Sequence, residues 1–403
     1  MGALSSLRVV EYSEFISGSY CGKLFADLGA EVIKIEKPGS GDKARSHGPF
    51  PQDIPHLEKS GLFLYLNTNK LGVTLNVSSA RGVEIFKELV KWADVLVENH
   101  PPQEMKELEL DYEHLRKVNP RLVMTSITPF GQTGPYRDYK ACDLICFNMS
   151  GVAYINPWQG VDDVEQQPPL KGPLYSGDFM AGLTAAVGTI SAVIAQQVTG
   201  LGQHVDLSEQ EALASITRRE AGVYTYEGLS WPREKGLRGI EQTMLPCSDG
   251  YVVTAIPTDW FWASMVEIMG NPEWTENELF KDRAGRRENW DAIELMMGEW
   301  TQEHTAEEVS RAAQAKRIPC MPVYTMKEVV NSEQLAAREF FVEVEHKEAG
   351  RVKYPGAPYK LSGTPWSISR SAPLLGEHNE EVYCKRLGYT KQDLVGMARL
   401  GVI

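Results

Sequence analysis

The amino-acid sequence predicts an α/β fold, with a large domain built on a parallel sheet and a smaller α/β domain. Three observations support this prediction. Short apolar strands alternate with amphipathic helices through the first half of the chain. The helices have the ~10–15 residues typical of crossovers between parallel strands. The chain of 403 residues is also longer than the ~150 residues of an average single domain.

The alternating elements of the first half follow one another in a regular order. They are the strand SLRVVEY, the helix GSYCGKLFADLG, the strands AEVIKIEKPG and GVTLNV, the helix ARGVEIFKELVKWA, the strand DVLVEN, the helix YEHLRKVN and the strand RLVMTSI. Ligands bind at the carboxyl ends of parallel strands. The candidate binding loops are therefore residues 12–18, 37–45, 66–70 and 97–103.

Composition shifts along the chain predict three segments. Residues 1–222 are expected to form the first part of the large domain. Residues 223–240 are aromatic, basic and contain glycine, which is typical of an interdomain loop, and they open a small domain that extends over 223–335. Residues 336–403 contain Pro/Gly-rich stretches and a final helix, and we expect them to return to the large domain.

Charge and composition argue against several classes of protein. The net charge of −13 disfavours binding to nucleic acid, so a phosphate-bearing ligand needs a local basic patch. The six cysteines and eight histidines lack the spacings of a zinc site or a disulfide framework. Free thiols are typical of a reducing compartment, which predicts a cytoplasmic protein, and no metal site is indicated.

Two further features bear on nucleotides and membranes. Neither GxGxxG nor GxxxxGK[ST] occurs, which argues against NAD and simple P-loop sites. The N-terminus lacks the pattern of a signal peptide. The apolar stretch 179–195 is shorter than the ~20 residues that span a bilayer, so it predicts a buried core helix and no membrane segment.

Asp178 is the charged residue at the head of that apolar stretch. It follows Ser176 and Gly177. Asp is preferred at a helix N-cap because its carboxylate accepts backbone N–H groups. A carboxylate at the positive end of a helix also stays ionised, as a nucleophile must be. The sequence therefore predicts that Asp178 starts the helix and leaves open whether it also reacts.

Ten segments, taken together and in order, carry a resemblance to a known family. They are LRVVEYSEF, LFADLGAEVIKIEKPGSGDKAR, LYLNTNKLGVTLNV, ADVLVEN, NPRLV…SITPFGQTGPYRDYKACD, YSGDFMAGLTAA, GQHVDLSEQEAL, DGYVV, IPCMPV and APLLGEH. In this order they resemble the class III CoA-transferases, which include formyl-CoA and carnitine CoA-transferases. The resemblance implies a Rossmann-like large domain, a small domain, and two chains interlocked like links in a homodimer.

The resemblance also implies a reaction. The family uses an Asp carboxylate in the segment that matches YSGDFMAGL, so Asp178 is the expected catalytic nucleophile. It would carry an aspartyl anhydride and an aspartyl-CoA thioester in turn. The substrates would be an acyl-CoA thioester and a carboxylic acid, with no permanently bound cofactor. Backbone N–H groups near Gly177 or in a glycine loop are expected to stabilise the tetrahedral oxyanions.

The family's CoA contacts carry over to seven positions of this sequence. The loop that lies along the CoA tail matches Phe15, Ile16 and Ser17. The remaining four contacts are Lys37, Lys70, Asn99 and Lys140. Lys34 lies within a predicted strand, and we interpret it as structural.

The sequence departs from the family pattern at several positions. A basic residue expected in the segment EMKELEL aligns with Glu107, beside Lys106. The glycine-rich loop of formyl-CoA members is absent from residues 235–243, which argues against an oxalate/formate enzyme. Cys142 stands where some members have an aromatic residue, and Asp143 follows as a helper or a helix cap.

Two alternative functions stay open at this point. A 2-methylacyl-CoA racemase of the same fold needs a His–Asp pair to move an α-proton, but Cys142 stands at the position of that His. A non-catalytic CoA-binding protein would keep the phosphate contacts and lose the carboxylate, whereas Asp178 is present.

The acceptor acid is open as well. Arg233 or Arg238 would bind the second carboxylate of a small dicarboxylic acid. A set of aromatic residues would instead form a cage for a trimethylammonium group or hold an aromatic acid, if it is not simply part of the core. The set consists of Tyr224, Tyr226, Trp231, Trp260 and Trp262.

Overall fold

A computed structural model of the protein describes residues 2–157, 160–234 and 242–403. Its strands are β1 Arg8–Tyr12, β2 Glu31–Glu36, β3 Leu71–Thr74, β4 Val95–Glu98, β5 Val123–Thr128, β6 His204–Ser208, β7 Gln242–Cys247, β8 Gly250–Ala255, β9 Cys320–Pro322, β10 Phe341–His346 and β11 Gly350–Pro355. Its α-helices are α1 Ser17–Asp27, α2 Gly61–Leu66, α3 Ala80–Trp92, α4 Pro102–Glu107, α5 Tyr112–Val118, α6 Asp143–Met149, α7 Val152–Ile155, α8 Ser176–Thr199, α9 Glu209–Ala214, α10 Arg218–Glu227, α11 Asp259–Ile268, α12 Arg283–Glu288, α13 Trp290–Gln302, α14 Ala306–Ala315, α15 Met326–Val330, α16 Glu333–Ala337 and α17 Lys391–Arg399. A π-helix covers Glu380–Arg386, and 3₁₀ helices cover Lys43–Ser46, Pro51–Asp53, Ser215–Thr217, Glu273–Glu276 and Glu278–Phe280.

Six parallel strands form the central sheet in the order β3-β2-β1-β4-β5-β6. This confirms the prediction of an α/β fold with a parallel sheet. Strands β2 to β5 are buried along almost their whole length, because helices cover both faces of such a sheet. The strand order reverses between β1 and β4, so the crevice that binds ligands in this architecture lies at their carboxyl ends.

Each face of the sheet has its own core. Phe86 and Leu89 of α3 pack on one face together with Tyr383 from the C-terminal segment. Phe25 of α1 and Ala185 of α8 pack on the other face. Small residues dominate the buried side of α8, which lets this long helix lie close to the strands. Helices α1 and α8 therefore lie side by side on the same face of the sheet.

The chain divides into two compact units. The first consists of Met1–Ser150, Gly172–Thr217 and Ala337–Ile403, and the second of Gly151–Lys171 and Arg218–Ala336. The sequence did not predict that Gly151–Lys171 would belong to the second unit. Whether the predicted segments 1–222, 223–335 and 336–403 act as domains stays a prediction.

The second unit is built around the antiparallel sheet β7-β8-β9. Its core includes Leu245 and Val252 from the sheet and Trp262, Ile293 and Val309 from helices. Helix α10 covers the start of the predicted interdomain loop, so that loop prediction is wrong for residues 223–227. Residues 228–234 lie outside the named helices and strands, and residues 235–240 lie outside the described part of the chain.

Helix α8 is only half buried. Its length and composition would allow it to cross a membrane, and 39% of its most apolar window is covered within the chain. The prediction of a fully buried core helix is therefore wrong for one face. That face carries the exposed side chains Leu183, Val187, Ile194 and Val198.

Glu98 ends β4 as a fully buried carboxylic acid. One of its carboxyl oxygens, Oε2, accepts a hydrogen bond from the backbone N–H of His100 at 2.8 Å. Burial raises the pKa of Glu98 to about 7, although hydrogen bonds from Ser126 and His100 favour its charged form. The negative charges of Glu104 and Asp206 also raise the pKa of Glu98.

The free energy of unfolding of the wild type is expected to depend on pH through the Glu98 carboxyl group. The substitution Glu98→Gln should remove this dependence. The folded-state pKa of about 7 lies above the unfolded value near ~4.3, so the folded state binds the proton more tightly. This stabilisation is fully present below pH ~4 and is lost as the pH rises through ~7. The free energy of unfolding of Glu98→Gln minus that of the wild type should therefore rise by about 3 kcal/mol between pH 5 and pH 8.

Urea titrations at each pH measure this difference. Glu84→Gln, which removes an exposed carboxylate paired with Arg81, serves as the control and should show no such trend. A difference for Glu98→Gln that stays constant with pH would contradict a protonated Glu98 in the folded protein.

Candidate active site

The first turn of α8 begins two residues before Asp178. Ser176 is the first helical residue, and Tyr175 stands at the N-cap without a capping side chain of its own. The carboxylate of Asp143 supplies the cap, because its Oδ1 accepts the N–H groups of Gly177 at 2.7 Å and Asp178 at 3.2 Å. The prediction that Asp178 starts the helix is therefore wrong. Asp178 lies within the first turn, and Asp143 has the cap role that the sequence allowed for it.

Gly177 makes this cap possible. A Cβ atom at position 177 would lie 2.6 Å from Oδ1 of Asp143 and 2.9 Å from Oε1 of Glu209. Asp143 and Glu209 are both buried. The N–H of Gly177 donates to Asp143, and the stabilisation of an oxyanion by N–H groups near Gly177 or in a glycine loop stays a prediction.

Two cysteines lie close to this cap. Cys142 is exposed and stands at the N-cap of α6, and Cys146 is buried one turn later. Burial raises the pKa of the Cys146 thiol, and the negative charges of Glu209 and Asp178 raise it further. Cys146 therefore stays a protonated thiol at neutral pH.

The loop predicted to lie along the CoA tail packs against the start of α8. The ring of Phe15 meets the ring of Tyr175 edge-on, with 4.8 Å between the ring centroids. A Cβ on Gly182 would lie 2.5 Å from the carbonyl oxygen of Ser17, so helix α8 approaches this loop very closely. The structure thus brings Phe15, Ile16 and Ser17 to the first two turns of the helix that carries Asp178.

Asn99 joins the same loop from the neighbouring strand. Its Oδ1 accepts the N–H of Glu14 at 2.9 Å, and its Nδ2 donates to the carbonyl of Glu14 at 2.8 Å and to Ser17 Oγ at 3.1 Å. A single amide side chain therefore bridges the carboxyl ends of β1 and β4. The structure places Asn99 with the predicted CoA loop.

Lys70 lies beneath the loop rather than on the surface. Its side chain is fully buried, its Nζ lies 2.7 Å from Oε2 of Glu11, and it donates to the carbonyl of Ser19 and to Asn67 Oδ1. Burial lowers the pKa of Lys70 to about 8, against the attraction of Glu11. The ammonium group of Lys70 presents no exposed surface to a ligand.

The other two predicted lysines are exposed. Lys37 directly follows β2, at the carboxyl edge of the sheet, and Lys140 precedes α6. Both ammonium groups are accessible to a phosphate. Lys106 on α4 is also exposed, whereas its exposed neighbour Glu107 would repel a phosphate. The sheet edge therefore carries accessible cations in addition to the buried Lys70.

The sequence did not predict a cluster of buried charges below this edge. Lys34 Nζ lies 2.9 Å from Oε1 of Glu11 and 2.7 Å from Oδ2 of Asp42, and Glu11 also binds Lys70. Burial opposes the charge of Lys34, but the attraction of Asp42 and Glu11 prevails and raises its pKa. The sequence signal that could have indicated this cluster is the presence of charged residues inside the apolar strands VVEY and VIKIE.

The candidate acceptor residues are not assembled as the sequence suggested. Trp262 is buried in the core of the second unit and packs against Trp274, so it does not belong to a cage. Tyr226 and Trp260 are exposed. Arg233 is buried, and its Nη2 donates to the carbonyl of Gln167 at 2.7 Å. Arg238 lies outside the described residues.

Comparison with known proteins identifies the family to which this chain belongs. Residues 4–379 match the family model described as CoA-transferase family III. The chain belongs to this family. It is 30% identical to Succinyl-CoA--D-citramalate CoA-transferase of Chloroflexus aurantiacus, over 99% of this chain and 98% of the relative. It is 32% identical to Formyl-CoA:oxalate CoA-transferase of Streptomyces coelicolor, over 100% of this chain and 99% of the relative.

A solved structure shows the same fold. The crystal structure of a CAIB/BAIF family protein from Brucella suis superposes with a TM-score of 0.84 and is 26% identical, covering 95% of this chain and 99% of that chain. The protein is therefore an acyl-CoA:carboxylate CoA-transferase with CoA thioesters as substrates. This confirms the class of enzyme that the resemblance implied.

Gly177→Ala is expected to disturb the cap and the reaction together. The added methyl group would meet the carboxylates of Asp143 and Glu209, and overpacking of this kind costs about 1–3 kcal/mol. CoA transfer should fall at least tenfold because the first turn of α8 moves. Gly188→Ala on the same helix is the matched control, since its Cβ would meet only Val205 at 3.2 Å.

Urea unfolding and a steady-state transfer assay on both variants test this prediction. Gly188→Ala should keep its activity within about twofold and its stability within about 1 kcal/mol, because Ala is a better helix former than Gly. Wild-type activity in Gly177→Ala would show that the first turn tolerates displacement.

Proposed function

We propose that Asp178 is the nucleophile of the transfer reaction. Its position in the first turn of a 24-residue helix is the observation that carries the proposal. The positive end of the helix favours an ionised carboxylate at this position. Asp143 accepts the first N–H groups, so the cap does not depend on Asp178.

The proposed reaction passes the acyl group and CoA through the Asp178 carboxylate in four steps. Asp178 attacks the thioester carbonyl, and a mixed anhydride forms as CoA leaves as a thiolate. The thiolate attacks the aspartyl carbonyl, which gives aspartyl-CoA and releases the donor acid. The acceptor carboxylate attacks this thioester, and a second anhydride forms with release of the thiolate. The thiolate then attacks the acceptor's carbonyl, which yields the new acyl-CoA and restores Asp178.

The contacts around α8 support this role. The predicted CoA loop packs on the first two turns of the helix through Phe15 and Ser17. A thioester lying along that loop would therefore approach the turn that carries Asp178. Water must be kept from the anhydride, and the aromatic rings of Phe15 and Tyr175 cover part of this turn.

CoA is proposed to bind at the carboxyl edge of the parallel sheet. The segment Phe15–Ser17 would line the pantetheine tail together with Asn99, through the Phe15 side chain and the backbone, since Ile16 and Ser17 are buried. The exposed ammonium groups of Lys37 and Lys140 would pair with the phosphates. We propose that Lys70 supports this site from below, because its ammonium group is buried against Glu11. The reaction needs no metal or resident cofactor, since the nucleophile is a side chain of the protein.

We propose the chemical class of the substrates and the compartment of the protein. The names of two relatives pair succinyl-CoA with D-citramalate and formyl-CoA with oxalate. The absence of the glycine-rich loop from residues 235–243 argues against the second pair. We propose a small carboxylic acid as acceptor. The six cysteines are all free, which fits the reducing cytoplasm.

Asp178→Asn is expected to abolish transfer while the fold is retained. Asn has nearly the same shape but no nucleophilic carboxylate, so the rate should fall at least about a thousandfold. Asp291→Asn is the matched control, because it removes a first-turn carboxylate from α13. Circular dichroism and thermal melting would report the fold, and CoA exchange between each donor and acceptor would report activity.

A chemical trap tests the intermediate directly. Hydroxylamine converts an aspartyl anhydride or thioester to a hydroxamate, which mass spectrometry would locate at Asp178 after digestion. A hydroxamate formed only in the presence of a donor acyl-CoA supports the proposal. Normal turnover by Asp178→Asn would refute it. Exchange of the substrate's α-proton with deuterated water, without any hydroxamate, would indicate a racemase instead.

We also propose that the protein is a homodimer, as the resemblance implied. The exposed face of α8 carries Leu183, Val187, Ile194 and Val198 at helical spacing, with exposures of 45–84%. An exposed face with four large apolar side chains, interrupted by Ser191, is unfavourable in water and typical of a protein interface. A second copy of the chain would cover it.

Val187→Glu combined with Val198→Glu is expected to weaken the dimer. Two buried charges would oppose association, so light scattering after size exclusion should show the monomer mass at concentrations where the wild type is dimeric. Val395→Glu, at an exposed position of α17, is the control and should stay dimeric. A dimeric double variant, or a monomeric wild type, would contradict the proposed interface.

A further inference from the structure

The loop between β1 and α1 contains a strained residue. Phe15 has φ of +66°, a left-handed conformation that bulky residues rarely adopt because Cβ approaches the following carbonyl. A residue keeps such a conformation only where its surroundings impose it. The same Phe15 is the residue whose ring contacts Tyr175 at the start of α8. Its conformation therefore bears on the geometry of the site.

Asp42 is the group that imposes this conformation. Its Oδ1 accepts the N–H of Phe15 at 2.9 Å and the N–H of Ala44 at 2.7 Å. Its Oδ2 lies 2.7 Å from Nζ of Lys34. Asp42 is 3% exposed, so these contacts exclude water. A single carboxylate thus links the loop after β1 to the loop after β2.

The neighbouring residues of the loop are held by other groups. Lys34 Nζ donates to the carbonyl of Ser13 at 3.1 Å, and Asn99 binds both backbone groups of Glu14. The peptide N–H of Phe15 depends on Asp42 among the described residues. Asp42 is therefore the contact whose removal acts most selectively on Phe15.

We propose that Asp42 is a positioning residue for the CoA thioester. Its carboxylate holds Phe15 in the left-handed conformation, which keeps the segment Phe15–Ser17 against α8 and shaped for the CoA tail. This rests on the proposed function, in which that segment contacts CoA. Asp42 does not touch the substrate and acts through Phe15. Lys34, which the sequence suggested as structural, fixes the orientation of the Asp42 carboxylate.

Asp42→Ala removes the acceptor and is expected to weaken acyl-CoA binding selectively. The loop would relax toward ordinary backbone angles, and KM for acyl-CoA should rise at least tenfold. The kcat at saturating acyl-CoA should change less than threefold, because Asp178 and its cap are untouched. Titration calorimetry with free CoA should show the same loss, which separates binding from the chemical step.

Three further variants separate positioning from simple destabilisation. Asp42→Asn keeps one acceptor oxygen for the N–H of Phe15 but turns an amide NH2 toward Lys34, so its KM should rise less than that of Asp42→Ala. Asp27→Ala breaks another buried pair, in which Asp27 lies 2.7 Å from Lys23, and should lower the melting temperature without a change in KM. The double variant Lys34→Met/Asp42→Ala removes the Lys34 ammonium group together with the Asp42 carboxylate, so Lys34 is not left as a buried unpaired charge. It remains foldable, and its KM should still rise tenfold.

The outcomes distinguish this inference from the proposed function. An unchanged KM in Asp42→Ala and in the double variant would overturn the role of Asp42. An equal rise of KM in Asp27→Ala would also overturn it, because the effect would then follow stability alone. If the wild type neither binds free CoA nor transfers it from any donor, the proposed CoA site itself fails.

Discussion

Four buried charged side chains beneath the carboxyl edge of the sheet set the geometry of the loops at that edge. Glu11 and Asp42 balance Lys34 and Lys70, and all four side chains are at most 1% exposed. A buried charge that loses its partner is far more costly than an exposed one, so none of the four can move independently. Gly22 of α1 completes the arrangement, because a Cβ there would lie 2.0 Å from Oε2 of Glu11. Helix α1 can therefore pack directly on the cluster.

Much of the fold was predictable because its signals are local. Apolar runs of strand length alternate with helical segments through the first half, and five of the six parallel strands follow that pattern closely. The charge cluster was not predictable, because a Lys or Glu in an apolar strand shows its partner only once the sheet has formed. Lys34 and Glu11 are 23 residues apart in sequence yet meet across neighbouring strands.

The candidate site likewise depends on contacts that the sequence alone does not predict. Asp178 was identified through the resemblance, since helix propensity alone explains an Asp at a helix start. The true cap, Asp143, lies 34 residues before Gly177, and no local pattern predicts that contact. Trp262 satisfied the aromatic pattern of a cage, but its ring is buried against Trp274 and Arg286 in a core. Residue type indicated what these side chains can do, and tertiary packing decided what they contact.

In the proposed CoA site, the left-handed backbone of Phe15 sets the stability of the fold against the recognition of the ligand at one residue. Glycine would occupy that conformation without strain, but it would remove the ring that meets Tyr175. Selection for thermal tolerance alone should therefore favour glycine at this position, and selection for catalysis should favour the aromatic ring. Such a conflict is typical of residues that evolution retains for function. If Phe15 has the proposed role, a substitution there that stabilises the fold would lower the activity of the enzyme.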